Sequence, residues 1–427
     1  MWRRRCSTVG VCETDSPAVN TPDPTPYNRR MVGWLSLGQL ITWGSVFYGF
    51  ALLMEPVERE LGLSRAQSSL AFSLALLAEG ALAWPVGRWI DRGHERAVMT
   101  GGSLVIVAGL LLHSVVHSAL GFYAAWTLLG AGLAATLYSP AFSIVTRRFP
   151  NAFRRAIITL TFLGGLASTV FIPVVAWLIA ELGWRHALWV LAAIHLFICV
   201  PLHARVLRHA PHPAAGSKAG WPRAGAAAAV APASHYMRTA PFLLVGVFTV
   251  LLMAVTAALP PHMVSLLRGA GLSESWAIAV PASIGLVQVL GRALLYFFEH
   301  HFDLHLANRL IPCLIPLGLL ALLAGAGSPG AALLFVFFYG MGNGMLTIVK
   351  GTAIAQYVNR DHVATLNGAL GLPSAIARAL APLMLGVLWQ PGTGYTLGLW
   401  MLLAASVVAV LALVGAQRWR RVPGAPT

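Results

Sequence analysis

The chain has 427 residues, 57% of them hydrophobic and 10% charged, against roughly 25% charged in soluble domains. Too little polar surface remains to cover such a chain in water, which makes a lipid bilayer its solvent. The net charge of +15 raises the alternative of a nucleic-acid binder, to be decided by where the basic residues fall, and four scattered cysteines (Cys6, Cys12, Cys199, Cys313) give neither a disulfide framework nor zinc-ligand spacing.

Residues 1–30 are polar, proline-rich and basic (Arg3, Arg4, Arg5, Arg29, Arg30). No apolar core with a cleavage site follows, so they read as a disordered cytoplasmic tail. Apolar runs of about 20 residues, the length that crosses a hydrocarbon core, then fall at 31–54, 67–88, 97–117, 119–144, 156–180 and 186–203. Residues 205–239 are rich in Ala, Pro and Gly, carry Arg205, Arg208, Lys218, Arg223 and Arg238, and have the composition of a flexible linker. Six more runs follow at 241–264, 275–297, 306–326, 331–355, 364–388 and 395–416, and residues 417–427 form a second tail. The pattern predicts an all-α membrane protein of twelve transmembrane helices, arranged as six-helix bundles over 31–204 and 240–416.

With both termini inside, the cytoplasmic side receives the tail and linker cations together with Arg88, Arg92, Arg96, Arg147, Arg148, Arg154, Arg155, Arg309 and Arg360. The other side receives only Arg59, Arg65, Arg185 and Arg268. This asymmetry follows the positive-inside rule and removes the nucleic-acid reading. The expected setting is a bacterial inner (plasma) membrane, crossed many times, with both termini cytoplasmic.

The two halves echo one another. Val86, Gly87 and Arg88 match Leu290, Gly291 and Arg292; Gly130 and Gly132 recur as Gly340 and Gly342; Gly183, Trp184 and Trp189 recur as Gly394, Tyr395 and Trp400. Such a repeat implies bundles related by a pseudo-two-fold axis, with the substrate site near the midplane between them.

The segment Gly87, Asp91, Arg92 and Arg96 resembles the hinge G-x-x-x-D-R-x-G-R-[RK] between the second and third helices of the major facilitator superfamily, except that His94 stands where the second Gly is usual and Glu95 where an Arg is. The resemblance implies a gate for alternating access at Gly87, Asp91, Arg92 and Arg96, with the charged residues pairing across the interface between halves. A solvated charged turn is the plain alternative. Within the superfamily, the stretch from Gly44 through Tyr48 and Gly49 to Leu63, Ser64, Arg65 and Ala66 looks most like monocarboxylate and oxalate/formate porters.

Charges inside a bilayer cost about 2.5–3.5 kcal/mol each on insertion scales, so each needs a reason. Glu79 lies near the centre of the second helix, too deep to reach the headgroups; it must pair, stay protonated or line water, and it is the candidate proton carrier. Arg378 shares a helix face with Asn367, Gly371 and Ser374, and Lys350 shares one with Asn343 and Thr347. Lys350 either faces a cavity or snorkels to the cytoplasmic surface. Arg292, one turn after Gln288, either contacts substrate or merely echoes Arg88. In the porters it resembles, a substrate-binding Arg sits on this helix and a basic residue on the eleventh joins it, whereas Gln288 stands where monocarboxylate porters carry an Asp, and Tyr48 or Gly49 where they carry a Lys. Three cations against one acid favour an anion, and the planar fork of Arg suits carboxylates.

The expected activity is secondary transport of a small organic mono- or dicarboxylate, by proton symport or anion exchange, with Arg292, Arg378, Lys350, Asn343, Gln288 and Tyr48 contacting the solute. The alternative is a proton-driven exporter of drugs or metabolites on the same fold. The transporter is expected to function as a monomer, without catalytic residues, cofactor or metal. Gly325, Gly327 and Gly330 spell G-x-G-x-x-G only in a turn between helices, with no strand before it. The polar loop with Glu299, His300, His301, Asp303 and His305 lacks precedent as a metal site, His113 and His195 read as satisfied packing histidines, and Pro260 and Pro261 are expected to end the seventh helix.

Overall fold

The computed structural model describes residues 28–149, 153–208, 233–298, 304–325, 327–359 and 363–419. Most of the expected tails and linker, the side chains of Asp91 and His305, and residues 299–303 of the polar cluster lie outside the described residues. Helices run over α1 Arg29–Leu61, α2 Arg65–Asp91, α3 Glu95–Ser114, α4 Ala119–Arg148, α5 153–182 and α6 184–206. The second set is α7 Ala240–Gly269, α8 Glu274–Phe298, α9 Leu304–Ala324, α10 Pro329–Tyr357, α11 Val363–Val387 and α12 Thr396–Trp419. Ten spans among the described residues are long and apolar enough to cross a membrane; one of them, Ala156–Val206, holds both α5 and α6, and α9 has a shorter apolar stretch, Asn308–Ala324. The twelve-helix, two-bundle layout thus follows.

Packing repeats between the bundles. In the first, α1 packs on α5 and α6, α2 on α4, and α3 on α4 and α6; in the second, α7 packs on α11 and α12, α8 on α10, and α9 on α10 and α12. The bundles meet where α2 packs on α11 and α5 on α8. Gly183 breaks the path from α5 to α6 with φ 76°, and Gly394 turns the chain into α12 with φ 56°, a left-handed conformation that costs glycine nothing sterically. Gly130 lets α4 touch the backbone of α2, since a Cβ there would stand 2.2 Å from the Ala75 carbonyl oxygen; in the second bundle Gly344 does the same for α10 and α8, with a Cβ 2.3 Å from the Gln288 carbonyl oxygen, and a Cβ on Gly340 would stand 2.9 Å from the Val287 side chain.

The matched Gly-Arg pairs differ in setting: Arg292 is half-buried and donates to the Thr161 carbonyl of α5. Arg88 is exposed and stacks over Trp84 at 4.6 Å. Arg292 does not echo it.

The seventh helix also departs from expectation. Pro260 and Pro261 lie inside α7, which continues to Gly269. A proline at 260 removes the donor to the Thr256 carbonyl, and the Tyr339 hydroxyl donates to that oxygen instead at 3.5 Å. Of the two packing histidines, His195 meets the Ser45 hydroxyl at 2.8 Å. Among the described residues His113 has no hydrogen-bond partner at either ring nitrogen, and it is wedged against Phe122, Trp126 and Trp184; it packs but finds no polar partner among them.

At the hinge, Gly93 takes φ 89° and the His94 amide donates to the Trp89 carbonyl at 3.0 Å, a helix-ending turn of the Schellman type. The glycine therefore works one position before the family's usual one. Arg92 and Arg96 are exposed and make no ion pair among the described residues, and the Asp91 side chain lies outside them. Glu95, fully buried, pairs instead with Arg148, which also donates to the Leu207 carbonyl at 3.1 Å. Arg147 donates to the Ile90 carbonyl. The charge reversal at position 95 is answered within the first bundle. Removing one member of a buried pair strands the other at a cost of about 3–5 kcal/mol, so Glu95→Ala should lower unfolding stability by about that amount, whereas Arg96→Ala should leave it nearly unchanged, as read from thermal unfolding in detergent.

Candidate functional site

Between the bundles lies a cavity of about 330 Å³. Tyr48, Glu79, Gln288, Arg292, Asn343, Lys350 and Arg378, all singled out from sequence, line it together. Asn367, Gly371 and Ser374, on the same stripe as Arg378, do not. Lys350 therefore faces the cavity and does not snorkel away.

The charges are held unequally. Arg378 Nη2 stands 3.2 Å from Glu79 Oε2, joining α11 to α2 at mid-depth. Arg292 donates to the Thr161 carbonyl of α5 at 2.5 Å and, through Nε, to the Gly344 carbonyl of α10 at 3.3 Å. Lys350 Nζ lies 2.5 Å from the sulfur of Met253, and a thioether is a weak acceptor. Among the described residues no carboxylate pairs with Lys350 or Arg292. The cavity thus contains one neutralised cation and two with no counter-charge.

Aromatic side chains of the first bundle line the cavity beside these groups, a feature the sequence reading missed apart from Tyr48. Residues Trp43–Tyr48 of α1 wind as a π-helix, closed by the Gly49 amide donating to the Gly44 carbonyl at 3.0 Å. Wide turns of this kind recur at functional sites. Here the turn brings Trp43, Phe47 and Tyr48 to the cavity. Tyr138 joins them because α4 breaks at Leu137, whose ψ of −164° redirects the chain. The Trp43 ring lies 4.8 Å from Phe47 and 5.1 Å from Tyr138.

On the face opposite the one that carries Asn28 and Trp419, the halves are tied by a polar network. Arg268 of α7 bonds Glu55 of α1 and Glu274 of α8, and Arg65 of α2 lies 3.6 Å from Glu55 and 3.4 Å from Glu58. Arg65 also stacks over Trp389 at 5.5 Å, and His262 bridges the Pro382 carbonyl, the Tyr395 hydroxyl and Ser69. Arg185 pairs with Glu60 at 2.5 Å. Sequence gave a sign of this network, since the few cations of this face sit beside Glu55, Glu58, Glu60 and Glu274.

Residues 35–382 match the Major Facilitator Superfamily, and the chain belongs to this superfamily of membrane transporters. It is similar to monocarboxylate transporter 13 of Bos taurus, with 27% identity over 373 residues that cover 85% of this chain and 81% of that one. A 106-residue stretch is 30% identical to the oxalate:formate antiporter of Oxalobacter formigenes, covering 25% of each chain. Its fold resembles the nucleoside transporter NupG, with TM-score 0.67, 14% identity and coverage of 91% of this chain and 98% of that one. It also resembles a bacterial homologue of the human lysosomal transporter Spinster in an inward-facing, occupied conformation, with TM-score 0.66, 18% identity and coverage of 92% and 97%.

Two outcomes test this geometry. A double-mutant cycle on Glu79→Ala and Arg378→Ala should give a coupling of about 0.5–3 kcal/mol in unfolding stability; additive effects would mean the pair does not interact. Arg268→Ala should loosen this network, so that a cysteine placed at the buried Ser69 reacts several-fold faster with a membrane-impermeant maleimide than it does with Arg268 in place.

Proposed function

We propose that the protein is a secondary active transporter that moves a small organic anion, a mono- or dicarboxylate, by alternating access with proton symport or anion exchange. The proposed setting is a bacterial inner membrane with both termini cytoplasmic. The observation that carries the reading is Lys350, a cation in the central cavity that faces a thioether where an acid would be expected.

An unpaired ammonium in a low-dielectric cavity is costly, and an entering carboxylate offsets that cost with charge-assisted hydrogen bonds. Lys350 is therefore the primary anchor. Arg292 adds positive potential from a fixed position, because two backbone carbonyls hold its guanidinium. Gln288, Asn343 and Tyr48 supply neutral donors and acceptors around the same space. Arg378 is engaged by Glu79, so its availability depends on that carboxyl group. Protonation of Glu79 removes the charge that holds Arg378 and frees a second cation for the anion. Proton and anion then load together, which is symport.

At the hinge, Gly87, Asp91, Arg92 and Arg96 are proposed to close the opposite, cytoplasmic side when the Arg268 and Glu55 network opens. The names of the two curated relatives, a monocarboxylate transporter and an oxalate:formate antiporter, support the substrate class. Export of lipophilic cations is disfavoured because Arg378 already neutralises Glu79, the acidic group of the cavity.

Proteoliposome uptake of a labelled carboxylate tests the assignment. A lost charge-assisted hydrogen bond is worth about 1.5–3 kcal/mol, so Lys350→Met should reduce uptake at limiting substrate by about 10- to 100-fold, and Lys350→Arg should retain more than Lys350→Met. Glu79→Gln should abolish stimulation by an inward proton gradient. Unchanged carboxylate uptake by Lys350→Met would contradict the reading.

A further inference from the structure

The cavity divides its chemistry between its walls. The second bundle contributes the free cation Lys350 with Arg292, Gln288 and Asn343, whereas the first contributes the rings of Trp43, Phe47, Tyr48 and Tyr138. A two- or three-carbon acid needs only the first set. The cavity of about 330 Å³ has space for on the order of ten waters, most of which such a small anion would leave in place beside the rings. Pockets of this size ordinarily bury most of a drug-sized ligand on apolar walls, with a few polar groups fixing its orientation.

The aromatic wall is also built rather than incidental. Two separate departures from regular helix, the π-turn at Trp43–Tyr48 and the break at Leu137, bring its members to the cavity. Their rings meet edge to face or tilted, with Trp43 and Phe47 at 63° and Trp43 and Tyr138 at 40°, and rings at such angles can take a further aromatic group edge to face or offset. The packing around α1 accommodates this turn: Gly44 is so close to Phe171 that a Cβ would stand 2.3 Å from its ring, and Ser45 within the turn is held by His195 of α6 at 2.8 Å.

We infer that the preferred solute is an aryl carboxylate, one carboxylate on a planar aromatic body, with the carboxylate at Lys350 and the ring against Trp43 and Tyr138. This deepens the anion reading and rests on it. Arg378 being paired with Glu79 leaves Lys350 as the ready anchor, which fits one carboxylate better than two. Burying a ring-sized apolar group is worth about tenfold or more in affinity, and each aromatic contact adds about two- to tenfold beyond the buried area.

Binding to the purified protein, measured by calorimetry with benzoate, phenylacetate, lactate, oxalate and the uncharged benzyl alcohol, tests the inference. Benzoate or phenylacetate should bind at least about tenfold more tightly than lactate and oxalate. Trp43→Ala and Tyr138→Ala should each narrow that ratio by about two- to tenfold, whereas Trp43→Phe should restore it; monodisperse elution of each variant controls for folding. Lactate or oxalate binding as tightly as the aryl acids would overturn the aromatic inference and leave the anion reading standing. Benzyl alcohol binding as tightly as benzoate, or no carboxylate binding at all, would overturn both.

Discussion

Glu79 and Arg378 meet 3.2 Å apart in the middle of the molecule, each on a helix too long for its charge to reach water along the chain. Neither charge could be carried there alone at acceptable cost, and the partner of each belongs to the other bundle. The pair therefore does two things at once. It joins α2 to α11 across the interface, and it removes one cation from the balance of the cavity. Everything assigned to Lys350 and Arg292 follows from that subtraction: with Arg378 occupied, Lys350 is the group that an incoming anion finds unengaged.

The same constraint organises the rest of the protein. On the face opposite Asn28 and Trp419, Arg65, Arg185 and Arg268 are each matched by glutamates; Arg268 reaches across the bundles to Glu55, and Arg65 crosses by stacking over Trp389. Near the hinge, the unusual Glu95 finds Arg148 inside its own bundle, leaving Arg92 and Arg96 exposed and without acidic partners among the described residues. The described residues thus tie the bundles on that face, whereas Arg92 and Arg96 make no such pair among them.

Much of this was legible from sequence because charge is rare in apolar runs. Glu79, Lys350 and Arg378 each stood out in a helix with little else to explain them, and all three line one cavity. The spans were equally legible, since about 20 apolar residues set their length. What stayed hidden depended on backbone detail or on partners far apart in the chain. Trp43 and Tyr138 look like ordinary membrane aromatics until the π-turn and the break at Leu137 direct them inward. A short Gly-Arg match says nothing of surroundings, and the exposed Arg88 and the cavity-lining Arg292 share little beyond it. Pro260 and Pro261 looked like a helix end because the compensating Tyr339 hydroxyl comes from another helix.

The central claim is that the cavity selects its solute by negative charge. The most direct measurement is counterflow in proteoliposomes loaded with an unlabelled carboxylate and challenged from outside with the labelled acid or with its uncharged amide of the same skeleton. The account predicts rapid exchange of the acid and little entry of the amide, a difference that vanishes in Lys350→Met. Equal exchange of acid and amide by the wild-type protein would contradict it.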